Sequence, residues 1–193
     1  MNWLHHMLQR GLSEVDYRYR RANCLQPIGP ILFVGRATYD GPALRFSDDT
    51  LLETGDDVGT LHFDNLRFSQ LDASSANAAA RGFAKLLLQS LSSLAEKACR
   101  DPAFPDFAVF QGVSWLPAHG TRIGFVTTPL PDGLRKRLLA AYFGLLIRAF
   151  APALETRTSA CPDPHFYWLT RKQLLGRYSG GRMPIGRGGI YPC

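Results

Sequence analysis

Cysteine is scarce and scattered in this chain: Cys24, Cys99, Cys161 and Cys193 form no C-x-x-C pair and keep no zinc-like spacing with histidine. A dithiol redox motif and a structural zinc site are therefore not indicated, and four free thiols in a reducing cytoplasm are expected. No uninterrupted apolar core opens the chain, because Trp3 is mixed with His5, His6, Gln9 and Arg10, so no signal peptide is expected. Long hydrophobic runs are missing too. The most apolar stretch, Leu138 to Phe150, is too short to span a bilayer and carries Arg148, which reads as a buried helix. HExxH, the phosphate-binding loop and the dinucleotide glycine pattern are absent in usable context, so no metal or cofactor is expected.

What is present is ordinary globular composition. With 193 residues, 46% hydrophobic and 20% charged, one domain is the default. Residues 1–179 read as that domain and 180–193 as a glycine-rich basic tail, mobile or laid along the surface. A formal charge of +6 and a pI near 9.4 favour anionic partners: nucleic acid, phosphorylated metabolites or an acidic membrane surface.

Trp3, Leu4, Met7, Leu8, Leu12, Val15 and Tyr19 recur at helical spacing, predicting an amphipathic helix with Arg20 and Arg21 at its end. From Ile31 to Asp64 the pattern turns to short β-rich runs, at 31–39, 43–46, 50–53 and 58–64. They are separated by Asp40-Gly41-Pro42, Asp48-Asp49 and Thr54-Gly55-Asp56-Asp57, which predicts an antiparallel meander. The aspartates read as turn residues, since they lack the periodicity of a calcium loop. An apolar stripe from Ala76 to Ala98 predicts a long helix begun near Ser74 or Ser75 and stopped by Pro102. Asp106 to Leu116 and Ile123 to Thr127 read as further strands, and Gly133 to Phe150 as a second long helix. After the short apolar run Phe166 to Leu169, Thr170-Arg171-Lys172-Gln173 has capping-box form and opens a helix to Tyr178. The class is α+β: a meander and further strands covered by two long helices, with an N-terminal amphipathic helix.

Gly59-Thr60-Leu61-His62-Phe63-Asp64-Asn65 sets an imidazole and a carboxamide three residues apart. On a continuous strand they would point to opposite faces, so they reach one site only if the strand ends or bulges between them. His62 and Asn65 are thus the first candidate site residues, for acid/base chemistry, ligand binding or a structural role. Gly112-Val113-Ser114-Trp115-Leu116 lacks the last glycine of a nucleophile elbow, which argues against a serine hydrolase. Phe166-Tyr167-Trp168 before Arg171-Lys172 would suit a stacked base or sugar ring, with burial against the sheet as the alternative. Gly180-Gly181-Arg182 and Gly186-Arg187-Gly188-Gly189 would suit a phosphate or RNA.

Four segments, taken in order, resemble the YkoP-like domain family of bacterial proteins: Asp40-Gly41 with Arg45-Phe46-Ser47-Asp48; Gly59 to Asn65; Arg122-Ile123-Gly124-Phe125; and Trp168 to Leu175. The likeness spans about residues 15–179. That family occurs alone or attached to polysaccharide-deacetylase-like enzymes, which implies a link with cell-envelope glycan or glycolipid metabolism. The resemblance carries over His62 and Asn65 as site candidates, with Ser114, Trp168 and Arg171 as ligand-binding candidates. The leading expectation is a cytoplasmic domain, peripheral to the inner membrane, that binds or acts on an anionic or sugar-bearing small molecule or lipid head group. A fainter resemblance, Gly82-Phe83-Ala84 before Lys85-Leu86-Leu87, is to acyl-CoA-dependent acetyltransferases, although Gly82 falls inside a predicted helix. Acyl transfer is the enzymatic alternative, and a nucleic-acid-binding module, favoured only by charge, is the second.

Overall fold

The computed structural model describes residues 3–68, 75–115, 123–150 and 162–179. The elements run α1 (Trp3–Ala22), β1 (Gln26–Ile28), β2 (Leu32–Thr38), β3 (Leu44–Arg45), β4 (Leu51–Leu52), β5 (Asp57–Phe63) and α2 (Asn65–Phe68). Then come α3 (Ala76–Arg100), β6 (Val109–Ser114), β7 (Val126–Pro129), α4 (Leu134–Phe150), β8 (His165–Thr170) and α5 (Arg171–Tyr178). The fold is α+β. The tail 180–193 with Arg182 and Arg187, and Cys161 and Cys193, lie outside the described residues, while Cys24 and Cys99 are free surface thiols.

Six strands form one sheet in the order β1-β2-β5-β6-β8-β7. All neighbours are antiparallel except β5 and β6, which run parallel because α3 carries the chain back between them. The expected meander is rearranged: β2 pairs directly with β5 from Leu32↔Phe63 to Thr38↔Asp57, and β3 and β4 form a separate two-stranded ribbon. Two residues per strand are too few to extend the sheet. The ribbon instead lays Phe46 and Leu52 over Trp168, Val58 and Val109. The apolar run 166–169 is an inner strand. Its two alternating sets, Phe166/Trp168 and Tyr167/Leu169, both need apolar cover, which is why the run shows no polar face.

One sheet face carries Ile28, Leu32, Val34, Phe110, Tyr167 and Leu169 against α3 and α5. Helix α3 starts where Ser75 accepts a hydrogen bond from the Ala78 N–H, and it buries Leu87, Leu91, Leu94, Ala95 and Ala98. Gly29, at φ 63°, lets the β1–β2 turn approach this helix so closely that a Cβ there would sit 2.7 Å from Ser90 Cα. Because the helix begins at Ala76, Gly82 lies inside it, and no free helix N-terminus exists there for a pyrophosphate.

The opposite face is divided. The ribbon covers the end holding Trp168, and α1 with α4 cover the end holding Val113 and Trp115. Helices α1 and α5 therefore pack on opposite faces of the sheet. Trp3, Met7, Val15 and Tyr19 of α1 are exposed, while Leu12 and Asp16 are buried. The docking face thus takes only part of the apolar stripe seen in the sequence, Leu8 and Leu12, and sets it beside Asp16.

The ribbon is fastened at Asp48. Its carboxylate accepts hydrogen bonds from the Thr170 hydroxyl and from the Thr50 N–H, and its carbonyl accepts one from Lys172 Nζ at 3.0 Å. Thr170 is also the N-cap of α5, in a capping box with Gln173, so ribbon, strand and helix meet at one hydroxyl. Burial alone would push the Asp48 carboxyl up, but the hydrogen bonds from Thr170 and Thr50 and the nearby Lys172 charge outweigh it and hold it below its ordinary 3.8. A carboxyl depressed by folding stabilises the fold fully above its unfolded value and loses that contribution as pH falls through the folded one. Asp48→Asn is expected to cost about 1–2 kcal/mol at neutral pH. Urea melts at pH 7 and pH 3 check this, with the gap between wild type and variant narrowing at the lower pH.

Candidate functional site

Strand β5 ends at Phe63, and Asp64 then makes a turn in which its carboxylate accepts from the Leu66 N–H and its carbonyl from the Arg67 N–H. The turn starts α2 at Asn65 and swings its carboxamide back to the side of the sheet that His62 faces. The two side chains converge on Asp16 of α1. His62 Nε2 lies 2.5 Å from Asp16 Oδ1, and Asn65 Nδ2 donates to the same oxygen at 2.8 Å. Asp16 is only 1% exposed, so its charge depends on these partners rather than on water.

Arg20, one turn along α1, completes the group. Its Nε lies 3.1 Å from Asp16 Oδ2, an ion-pair distance, yet the N–H is not aimed at the oxygen and neither atom has a hydrogen bond. The guanidinium lies over the Phe33 ring, 4.4 Å from its centroid, and Phe33 stands opposite His62 in the β2–β5 register. Neither Nη atom has a partner among the described residues. Arg20 is therefore clamped between a ring and a carboxylate with its outer N–H groups unused.

Tyr19 packs its ring 5.0 Å from that of His62, and Tyr142 of α4 closes the group from the other helix. The Tyr142 hydroxyl is pushed up to about 12 by burial first, then by the Asp16 and Tyr19 charges. His62 Nδ1 has no hydrogen-bond partner among the described residues, so with Nε2 occupied by Asp16 it is the nitrogen left to exchange a proton or bind a ligand.

Arg20 also lines a cleft of about 920 Å³ along α1, with Trp3, His6, Arg10, Tyr17 and Leu66 among its walls. Glu14, which also lines it, is paired with Arg18 at 2.7 Å. The charged residues of the lining are thus Arg10, Arg20 and Glu14, and its aromatic residues include Trp3 and Tyr17.

The structure brings together His62 and Asn65 but none of the other sequence candidates. Ser114 is buried at the end of β6, on the sheet face opposite His62. Trp168 is buried under the ribbon among Tyr39, Phe46 and Phe166, and donates from Nε1 to Thr128 Oγ1 at 2.9 Å. Arg171 donates to the Ala98 carbonyl and pairs with Asp106 at 3.3 Å, tying α5 to the end of α3. Asp16 and Arg20 escape sequence reasoning because they are polar residues on an amphipathic helix, where solvent exposure is the ordinary reading. A signal exists in hindsight: Gln9, Asp16 and Arg20 lie on the same side of the helix as the buried Leu12, and Gln9 too is satisfied across the interface, by the Ala149 carbonyl at 2.7 Å.

Replacing Asp16 leaves Arg20 beside an uncharged, buried neighbour, so Asp16→Ala is expected to destabilise the fold by about 3–5 kcal/mol. Asp16→Asn, closer in shape, is expected to bring the Tyr142 hydroxyl down from about 12, since a negative charge beside it is removed. Carbon-13 NMR of labelled tyrosine against pH reads that shift directly.

No curated protein and no solved structure matches the chain. A family model does match, over residues 7–178, a span that runs from α1 through α5 and contains Asp16, Arg20, His62 and Asn65. The chain belongs to the YkoP domain family.

Proposed function

We propose that this domain binds an anionic, sugar-bearing small molecule in the cleft along α1, with Arg20 as the anchor for its phosphate or carboxylate. The observation that carries the reading is the state of Arg20: held over Phe33 and beside Asp16, with both Nη groups unpartnered at the cleft. A guanidinium fixed in this way offers the paired donors that phosphate and carboxylate oxygens accept, with little side-chain entropy left to lose. Arg10 adds a second positive charge, and the exposed faces of Trp3 and Tyr17 suit the apolar side of a sugar ring. The setting in cell-envelope glycan or glycolipid metabolism rests on the family resemblance. A catalytic role is a second reading, favoured by one observation: His62 Nδ1 is unpartnered while Asp16 orients the ring, the arrangement a general base requires.

Calorimetry of the full chain with glucosamine 1-phosphate tests the binding reading, with inorganic phosphate and glucosamine as the partial ligands. Arg20→Gln is expected to weaken the sugar phosphate at least tenfold, roughly 1.4 kcal/mol. Trp3→Ala, at an exposed position, is expected to weaken the sugar phosphate more than inorganic phosphate. Equal binding by wild type and Arg20→Gln, or no binding of any anionic sugar, would overturn it.

A further inference from the structure

Asp16 stands between an imidazole and a guanidinium. Its Oδ1 meets His62 Nε2 at 2.5 Å, and its Oδ2 lies 3.1 Å from Arg20 Nε. With His62 neutral, the Nε2–H donates to Asp16 and Nδ1 is bare, so one carboxylate balances one guanidinium. An anion on the Arg20 Nη groups upsets that balance, because Arg20 then faces two negative groups, Asp16 through Nε and the ligand through Nη. The surplus negative charge falls beside a carboxylate that is 1% exposed and has little water to screen it.

His62 is placed to correct the balance. Around it, α1 supplies Asp16, Tyr19 and Arg20, and α4 supplies Tyr142, whose hydroxyl, pushed up to about 12, stays neutral. From α2 comes Asn65, which does not titrate, while Arg67 there stands 4.0 Å from Asp64. Across the strand pair the neighbour is Phe33. Among these side-chain types, imidazole is the one that ordinarily exchanges a proton between about pH 5 and 8. The His62 side chain is 22% exposed and its Nδ1 has no hydrogen-bond partner among the described residues, so a proton from solvent can settle there without breaking the bond to Asp16. Imidazolium and guanidinium then oppose each other across Asp16, and an anion on Arg20 relieves that repulsion.

We propose that His62 is a positioning residue for the cleft, taking up a proton at Nδ1 when an anion binds Arg20. The inference rests on the reading of the cleft as an anion site and gives that site a direction with pH. Binding tightens as pH falls from 8 to 6, and because linkage is reciprocal, the bound anion raises the protonated fraction of His62. His62 is not among the residues that line the cleft, so toward a ligand there it acts through Asp16 and Arg20.

Calorimetry of the full chain with glucosamine 1-phosphate at pH 6, 7 and 8 tests the proposal. His62→Gln is the variant to compare: its amide keeps an N–H for Asp16 but takes up no proton, and the titration of the ligand itself is common to both proteins. The ratio of wild-type to variant affinity is expected to rise about threefold or more from pH 8 to pH 6. A purely structural His62 leaves that ratio flat, and a flat ratio would overturn the proposal. Nitrogen-15 NMR of histidine-labelled wild type reads the coupling without a substitution, with His62 assigned through its contact with the Tyr19 ring. On saturation at pH 7 the balance of protonated to neutral His62 is expected to shift about fivefold toward the protonated form. An unchanged balance, or a shift confined to His6 in the cleft wall, would equally sink the idea. Arg20→Gln tells the two failures apart. If it leaves the affinity unchanged, the anion site fails and the coupling with it; if it weakens binding while the ratio stays flat, only the coupling fails.

Discussion

A single buried carboxylate joins the N-terminal helix to the sheet. Asp16 takes His62 and Asn65 on one oxygen and has Arg20 beside the other, so a helix, a strand end and a short helix are held by one charge. A carboxylate almost removed from solvent is tolerable only while it keeps its positive and hydrogen-bonding neighbours. This constraint sets the position of α1, and α1 in turn supplies most of the cleft lining. Structure and candidate function share the same atoms here.

A second fastening, at Asp48 and Thr170, does for the other end of the sheet what Asp16 does for the first. Here too a carboxylate brings together segments far apart in the chain, the ribbon turn and the start of α5. The two differ in exposure. Asp48 is only partly shielded and rests on short-range hydrogen bonds, whereas Asp16 is almost wholly enclosed and its Oδ2 has no hydrogen bond. An incompletely satisfied buried ion pair is a costly arrangement.

Much of the architecture was legible from local pattern. The α3 stripe with its serine start, the long helix to Phe150 and the Thr170 capping box each follow from side-chain periodicity or from hydrogen bonds within a few residues, and each stands where the pattern put it. The sheet order was not legible. The expected meander kept its strand positions but not its pairing, because the choice between extending a sheet and folding a ribbon over it depends on what Trp168, more than a hundred residues away, needs to cover it. Phe166 to Leu169 looked like a short apolar run, since an inner strand covered on both faces loses the alternation that identifies strands.

The candidate site divides in the same way. His62 and Asn65 could be singled out from one heptapeptide, and the condition for their convergence, a strand that ends between them, could be stated from backbone geometry alone. Their meeting point could not, because Asp16 lies 46 residues before His62 and nothing in an amphipathic helix marks one carboxylate as buried. Ser114, Trp168 and Arg171 were named by residue type, and packing places them at the end of an inner strand, in the ribbon core and at a helix junction. By itself, then, the sequence determined most of the elements and the α+β class, since these follow from interactions between near neighbours. Tertiary structure alone decided which polar residues lose their water and which charges meet, because burial and long-range pairing are properties of the assembled layers and not of any segment.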